Sequence, residues 1–233
     1  MRAERGAKGV NIEGCRFRVA AGVLVWGLGA TVAAIGAVLI CPSTVCAVPD
    51  IDARLLAQAH ALRHPVLNAF FVAITWCGSI YVLLPAALPV AWQRWSIGRK
   101  HEAVFLLGSL VGARVLAGLI KQMVDRPRPA LFPVLGRLPD DPSFPSAHAM
   151  QISAFALGCV LLLGARQRSI AIVLALSLVL LVAYSRVFLQ VHYPSDVIAG
   201  MVIAACWVIG LRLLLLPRGA TSSHAGRSDT PIG

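Results

Sequence analysis

Charge is what this 233-residue sequence has least of: Asp, Glu, Lys and Arg make up 13% of it, where an ordinary soluble domain carries about a quarter. Acidic residues are scarcer still, 10 against 21 Lys and Arg. No stretch between its basic head and its Ser- and Gly-containing tail is polar enough to be a second, soluble domain. The 6 cysteines stand at no metal-ligand spacing, which argues against a zinc-ribbon or finger. No internal repeat is visible, which argues against a solenoid.

What is there instead is apolar. Hydrophobic residues make up 58% of the chain, and the mean hydropathy is +0.78. These values predict a membrane protein. At roughly 20 residues per crossing, the chain has room for one all-α bundle of about six spans. The runs fall at Val19–Ile40, Val66–Trp92, Ala103–Ile120, Ala149–Ala165, Ile170–Leu189 and Val197–Leu216. They define a single six-span domain over 19–216, flanked by a basic segment, 1–18, and a tail, 217–233, with too little to bury to be ordered. A cleaved signal peptide is the alternative for the first run. That run is long for a signal core, and Val38-Leu39-Ile40 before Cys41 lacks the small residue expected at a lipoprotein-type cleavage site, so it reads as a retained span.

The formal charge of +11 raises the question of nucleic acid. The positive residues are scattered between apolar runs rather than gathered on a polar face, so no nucleic-acid partner is expected. They read as topology. With Arg2, Arg5, Lys8, Arg16 and Arg18 on the cytoplasmic side, Arg94 to Lys100, Arg166 to Arg168 and the tail after Arg218 share that side, as the positive-inside rule requires. Both termini are then cytoplasmic, and the segments around 41–65, 121–148 and 192–195 face outward from a bacterial-type inner membrane.

Every unusual polar cluster falls on that outer face. In KQMVDRPRP, 121–129, the prolines force an extended path, so Arg126 and Arg128 project as a stiffened pair beside Lys121. Binding to anionic headgroups is the plainer reading of such a run. In SFPSAHAM, 143–150, Pro145-Ser146 signals a helix start, with Ser146 as its cap and His148 in the first turn. Such an end offers N–H groups and a positive dipole to an anion. In SRVFLQVHYPSDVIAG, 185–200, Arg186 precedes a second Pro-Ser start. His192 and Asp196, four apart, share a face if the helix begins near His192, and the carboxylate then fixes one imidazole nitrogen. Alone, each cluster has a structural explanation. Together they supply three cations (Lys121, Arg128, Arg186), two helix starts and two histidines, the set that in-line phosphoryl transfer requires.

The ordered pattern Lys121, six residues, Arg128-Pro129; Pro145-Ser146-Ala147-His148; Ser185-Arg186, five residues, His192, three residues, Asp196 resembles the three-part signature of the type 2 phosphatidic acid phosphatase superfamily. The resemblance implies a six-helix membrane lipid phosphatase with its active site at the outer face. It implies that His192 attacks phosphorus, Asp196 orients it, and His148 protonates the leaving oxygen and then activates water. Lys121, Arg128, Ser146, Ala147 and Arg186 would hold the phosphate oxygens. No cofactor and no metal enter that scheme; the partners are a lipid phosphate or pyrophosphate, isoprenoid or glycerolipid, and the surrounding membrane lipids. Ala147 departs from the pattern, which has glycine there, and a retuned rather than lost activity is expected.

Other readings remain open at this level. An intramembrane serine hydrolase would use Ser146 or Ser185 with His192 and Asp196, although three cations have nothing to neutralise on a neutral ester. A non-catalytic lipid transporter would use the cations only to bind headgroups, and a metallo-hydrolase would use His148, His192 and Asp196 as ligands. Arg114 lies inside a span and is expected to pair within the bundle or to snorkel. Cys41 and Cys46 both lie in the outer loop, where an oxidising compartment favours a disulfide and their short spacing opposes one, so pairing and two free thiols are equal readings. IDARLLAQAHALRHP, 51–65, has helical periodicity and reads either as a helix flat on the outer leaflet or as a connector.

Overall fold

The structure, a computed structural model, describes residues 12–41 and 46–216. The described residues form eight α-helices and one 3-10 turn, with no strand among them. Most of the basic head and all of the tail lie outside the described residues.

Helices α1 (Ile12–Ile40), α5 (Lys100–Val124), α7 (Ala165–Phe188) and α8 (Pro194–Leu215) are long and apolar enough to cross a bilayer. Between them, α3 (Pro65–Ile74), the 3-10 turn Thr75–Gly78 and α4 (Ile80–Ser96) form a pair bent by 49°. Counted as one span, that pair makes five. The run expected over Val66–Trp92 is therefore apolar throughout but broken. Ser79 starts α4 by accepting the Tyr81 N–H at 3.3 Å. Gly78 lets the turn press on its neighbours, since a Cβ there would stand 2.6 Å from Val182 Cγ1 and 3.1 Å from His148 Cβ.

The run expected over Ala149–Ala165 forms α6 (Ala147–Leu162), 16 residues long. At 1.5 Å per residue it spans about 24 Å, less than the roughly 30 Å of a hydrocarbon core. It packs against α5, α7 and α8. A helix enclosed by others meets protein rather than lipid, so its length need not match the bilayer.

Close packing and satisfied polar groups hold the helices together, because lipid tails are as apolar as leucine and give helices no hydrophobic reason to associate. Phe105, Leu106, Met150, Ala154, Ile203 and Ala204 form the centre. Trp26 of α1 stacks on Trp207 of α8 with centroids 5.2 Å apart. Each indole N–H finds a carbonyl at 3.1 Å, Trp26 on Trp207 and Trp207 on Gly108.

The two ends of the bundle differ. At one, Arg94 and Arg99 pair with the buried Glu102, Arg212 donates to the Leu161 carbonyl at 3.0 Å, and Arg18 to that of Leu216. At the other lie the 125–146 connection, the 189–193 turn, the Cys41–Cys46 disulfide and α2 (Asp50–Ala61). Leu56 and Ala59 of α2 pack on Ala183, Val187, Tyr193 and Val197, and Gln190 donates to the Leu56 carbonyl at 2.9 Å. The periodicity of 51–65 thus serves docking on the bundle, which neither sequence reading anticipated. Arg114 is exposed and has no polar partner among the described residues, so the expected pairing within the bundle is corrected. Its guanidinium lies beside Gly118, with Nη1 3.4 Å from where a Cβ would be. The missing side chain leaves it room to run along α5, the snorkelling alternative.

Candidate active site

The two arginines around Pro127 part company. Asp125 ends α5 in a left-handed conformation, φ 47°. Arg126 then turns inward, 1% exposed. Its Nη1 reaches Asp196 Oδ1 at 2.5 Å and Ser195 Oγ at 2.9 Å, and its Nη2 reaches Asp52 Oδ2 at 3.1 Å. Its guanidinium lies 3.8 Å from the centre of the Tyr193 ring. Asp52 also accepts the Ser195 N–H at 2.9 Å and its hydroxyl at 2.5 Å. The sequence expectation of two projecting cations is corrected accordingly, because Arg126 is neutralised by two buried carboxylates. Arg128 alone faces the site, where Nη1 donates to the Val191 carbonyl at 2.6 Å and lies 3.2 Å from His192 Nε2.

His192 is 2% exposed and sits in the turn before α8, not on it. The expected shared helical face is therefore replaced by a different device. Asp196, in the first turn of α8, accepts the Tyr193 N–H at 3.0 Å. Its Oδ2 lies 3.5 Å from His192 Nδ1. Ser143 bridges the two, with Oγ 3.3 Å from Nδ1 and donating to Asp196 Oδ2. Two oxygens on Nδ1 assign the proton to that nitrogen and leave Nε2 with its lone pair directed at Arg128. Burial first, then the charges of Arg128, Arg186 and Lys121, holds the imidazole well below the ordinary histidine value of about 6.5. The ring is a neutral base.

Lys121 is 3% exposed at the end of α5; it donates to the Pro142 carbonyl and pairs with Asp141 at 3.2 Å. Arg186 Nη1 donates to Thr75 Oγ1 at 2.7 Å, while its buried Nε has no partner among the described residues. Arg186 and His148 share the wall of a cavity of about 560 Å³ with Thr75, Trp76, Leu135 and Leu189. Ser146 holds the position before α6, but its hydroxyl makes no capping bond and is buried without a partner among the described residues. The expected cap is corrected: its N–H instead donates to the Asp196 carbonyl at 3.1 Å, tying the start of α6 to that of α8. The free hydroxyl is available to a ligand. Ala147 takes the first helical position of α6, where its dihedrals are ordinary for any L-residue.

His192, Asp196 and Arg128 thus touch one another directly or through Ser143, and His148, Arg186, Lys121 and Ser146 border the same end of the bundle. Ser185 does not join them, since its hydroxyl donates to the Val182 carbonyl at 2.6 Å. Sequence reasoning missed Asp52, Thr75, Asp141 and Ser143 as contacts. Asp52 carried a detectable signal, an acidic residue on the apolar stripe of an amphipathic segment; Ser143 and Thr75 carried none. Among the described residues no three His, Cys, Asp or Glu side chains converge as a metal-ligand set.

Comparison with known proteins gives concordant results. The family model for the PAP2 superfamily matches residues 102–219. Phosphatidylglycerophosphatase B of Bacillus subtilis (strain 168) is 27% identical over 179 residues, 74% of this chain and 84% of that protein. Decaprenylphosphoryl-5-phosphoribose phosphatase of Mycobacterium tuberculosis (strain ATCC 25618 / H37Rv) is 43% identical over 155 residues, 65% of this chain and 75% of that protein. The crystal structure of a transmembrane PAP2-type phosphatidylglycerolphosphate phosphatase from Bacillus subtilis superposes with a TM-score of 0.67 and 23% identity, covering 82% of this chain and 94% of that one.

Proposed function

From the premise that this chain belongs to the PAP2 superfamily, and is thereby a membrane phosphatase acting on lipid phosphates, we propose a metal-independent reaction through a phosphohistidine. His192 Nε2 attacks phosphorus while Asp196 and Ser143 hold Nδ1–H and stabilise the charge that develops on the ring. His148 gives a proton to the leaving oxygen, then takes one from the water that attacks the phosphohistidine and releases inorganic phosphate. Lys121, Arg128 and Arg186 neutralise the phosphoryl oxygens, with the Ser146 hydroxyl and the N–H groups of the α6 start, including Ala147, as further donors.

The observation that carries this reading is the environment of His192. Its two nitrogens are differentiated, one against an acid and a hydroxyl, the other against an arginine. A serine hydrolase would need its serine on the nitrogen opposite the carboxylate. The serine that reaches His192, Ser143, lies on the same nitrogen as Asp196, and Ser146 and Ser185 make no hydrogen bond to the ring.

The substrate class follows from the cavity beside His148 and Arg186, whose walls are otherwise largely apolar. An isoprenoid or glycerolipid phosphate fits such walls, and the 43% identity to a decaprenyl-linked phosphatase favours the isoprenoid. We further assign six crossings, with α6 as a short enclosed one and 1–18 and 217–233 cytoplasmic flanks of one domain. The site then faces the periplasmic or extracellular side, a placement supported by the basic residues at the opposite end of the bundle and by a disulfide at this one.

Phosphate release by the purified protein from decaprenyl phosphate, undecaprenyl diphosphate, phosphatidylglycerol phosphate and phosphatidate, with and without chelator, tests the proposal. Release that survives chelator, is blocked by vanadate and vanishes in His192→Ala is expected. Full activity in His192→Ala, or dependence on added metal, would overturn it.

A further inference from the structure

We propose that Asp141 is a built-in competitor of the substrate phosphate, holding the two cations the reaction needs and yielding them only to an incoming anion. The inference rests on the assignment of Lys121 and Arg128 as phosphate-binding groups. Asp141 places one carboxylate oxygen on each, Oδ1 at 2.7 Å from Arg128 Nη2 and Oδ2 at 3.2 Å from Lys121 Nζ, as two oxygens of a phosphate would. Backbone carbonyls of the same strap complete the cover: Arg128 Nε donates to the Asp141 carbonyl at 2.8 Å, and Lys121 to that of Pro142.

The contrast in burial identifies which partner moves. The side chains of Lys121 and Arg128 are 4% and 8% exposed, that of Asp141 50%. Buried cations without a counter-charge are strongly unfavourable, so an empty site needs an anion of its own. A half-exposed carboxylate regains water when displaced and can therefore exchange with a ligand. Burial raises the Asp141 pKa, but Lys121 and Arg128 more than offset it and leave it below the usual carboxylate value, so the group stays charged.

A competitor tethered in the site weakens every anion by the fraction of time the site is closed. That factor falls on substrate and product alike, but a lipid phosphate has its chain as a second hold on the protein and inorganic phosphate has none. Asp141 therefore loosens the site's hold on its own product without changing the preference for the lipid, whose chain supplies the remaining affinity, and returns the cations to a neutralised state after each turnover.

The test compares the full-length protein in nanodiscs with Asp141→Asn, Asp141→Ala and Asp50→Asn. Asp50 is exposed in the first turn of α2 and lines no part of the cavity beside His148. Inhibition constants for orthophosphate and orthovanadate are measured against lipid phosphate hydrolysis, and orthophosphate binding is measured by calorimetry without turnover. Both Asp141 variants are expected to bind orthophosphate and vanadate about tenfold more tightly, with a lower KM and unchanged or slower kcat, while Asp50→Asn matches the wild type. Constants within twofold of the wild type, or weaker, in both Asp141 variants would overturn the inference. A wild type that hydrolyses no lipid phosphate would instead remove the phosphatase reading, and the calorimetric comparison would still decide the role of Asp141.

Discussion

Arg126 and Arg128 are separated by one proline and live in opposite electrostatic regimes. Arg126 belongs to a closed network with Asp52, Ser195 and Asp196, its carboxylates at most 1% exposed. Arg128 belongs to an open one, with a half-exposed carboxylate on one edge and His192 Nε2 on the other. The comparison teaches that charge near an active site serves two purposes. A buried pair whose every partner is protein fixes geometry, while a cation covered by a half-exposed carboxylate can exchange that partner for another anion, the role proposed for Arg128. Asp196 joins the regimes, because one of its oxygens holds Arg126 and the other faces His192.

Experiments that break one regime and spare the other test this division. The largest effect is expected where both meet the chemistry: His192→Ala should lower kcat by at least about 1,000-fold, since it removes the proposed nucleophile, and enzyme quenched in alkaline detergent, where the acid-labile P–N bond survives, should then carry no phosphohistidine. His148→Ala should follow at roughly 100- to 10,000-fold in kcat, with orthophosphate binding retained. Breaking the closed network with Asp52→Asn or Arg126→Met leaves a buried partner uncompensated and should destabilise the fold by about 3–5 kcal/mol. Thermal denaturation in detergent reads that loss, and the activity of the surviving folded fraction should fall chiefly in kcat, with orthophosphate affinity little changed. An unchanged melting temperature would show that Arg126 is not the strut assigned here.

A smaller, pH-dependent effect sharpens the same contrast. His192 must be neutral to attack, and its lowered pKa keeps it so as pH falls through about 6.5. The acid limb of kcat/KM should therefore lie below that value, and Arg128→Gln, removing one of the depressing charges though not the burial, should move the limb upward. The linkage has a stability counterpart. A folded pKa below the unfolded one means that stability is lost as pH falls from about 6.5 toward the folded value, because the unfolded chain binds the proton first. The smallest change expected is Ala147→Gly, within about twofold in kcat/KM, because the first helical position of α6 requires no glycine dihedral.

Legibility in the sequence followed the range of the interaction. The clusters 121–128, 146–148 and 186–196 were readable because local spacing and helix-start chemistry announce them, and α1, α5, α7 and α8 because long apolar runs in lipid form helices. The break at Gly78-Ser79 was hidden inside an apolar run. It depends on the approach of Val182 and His148 from distant helices, and hydropathy carries no trace of that. The fate of Arg126 was hidden for the same reason, since Asp52 lies 74 residues away in sequence.

By itself, the order of residues determined that this chain is helical, lies in a membrane, and brings two histidines, an aspartate and several cations to one family signature, because apolar runs and short motifs are properties of neighbours along the chain. Only the tertiary structure decided which arginine is held between two buried carboxylates and which lies against His192, which serine bridges His192 to Asp196, and that a loop carboxylate covers Lys121 and Arg128. Those outcomes depend on which side chains are excluded from water together, and that is settled only when distant helices close around them.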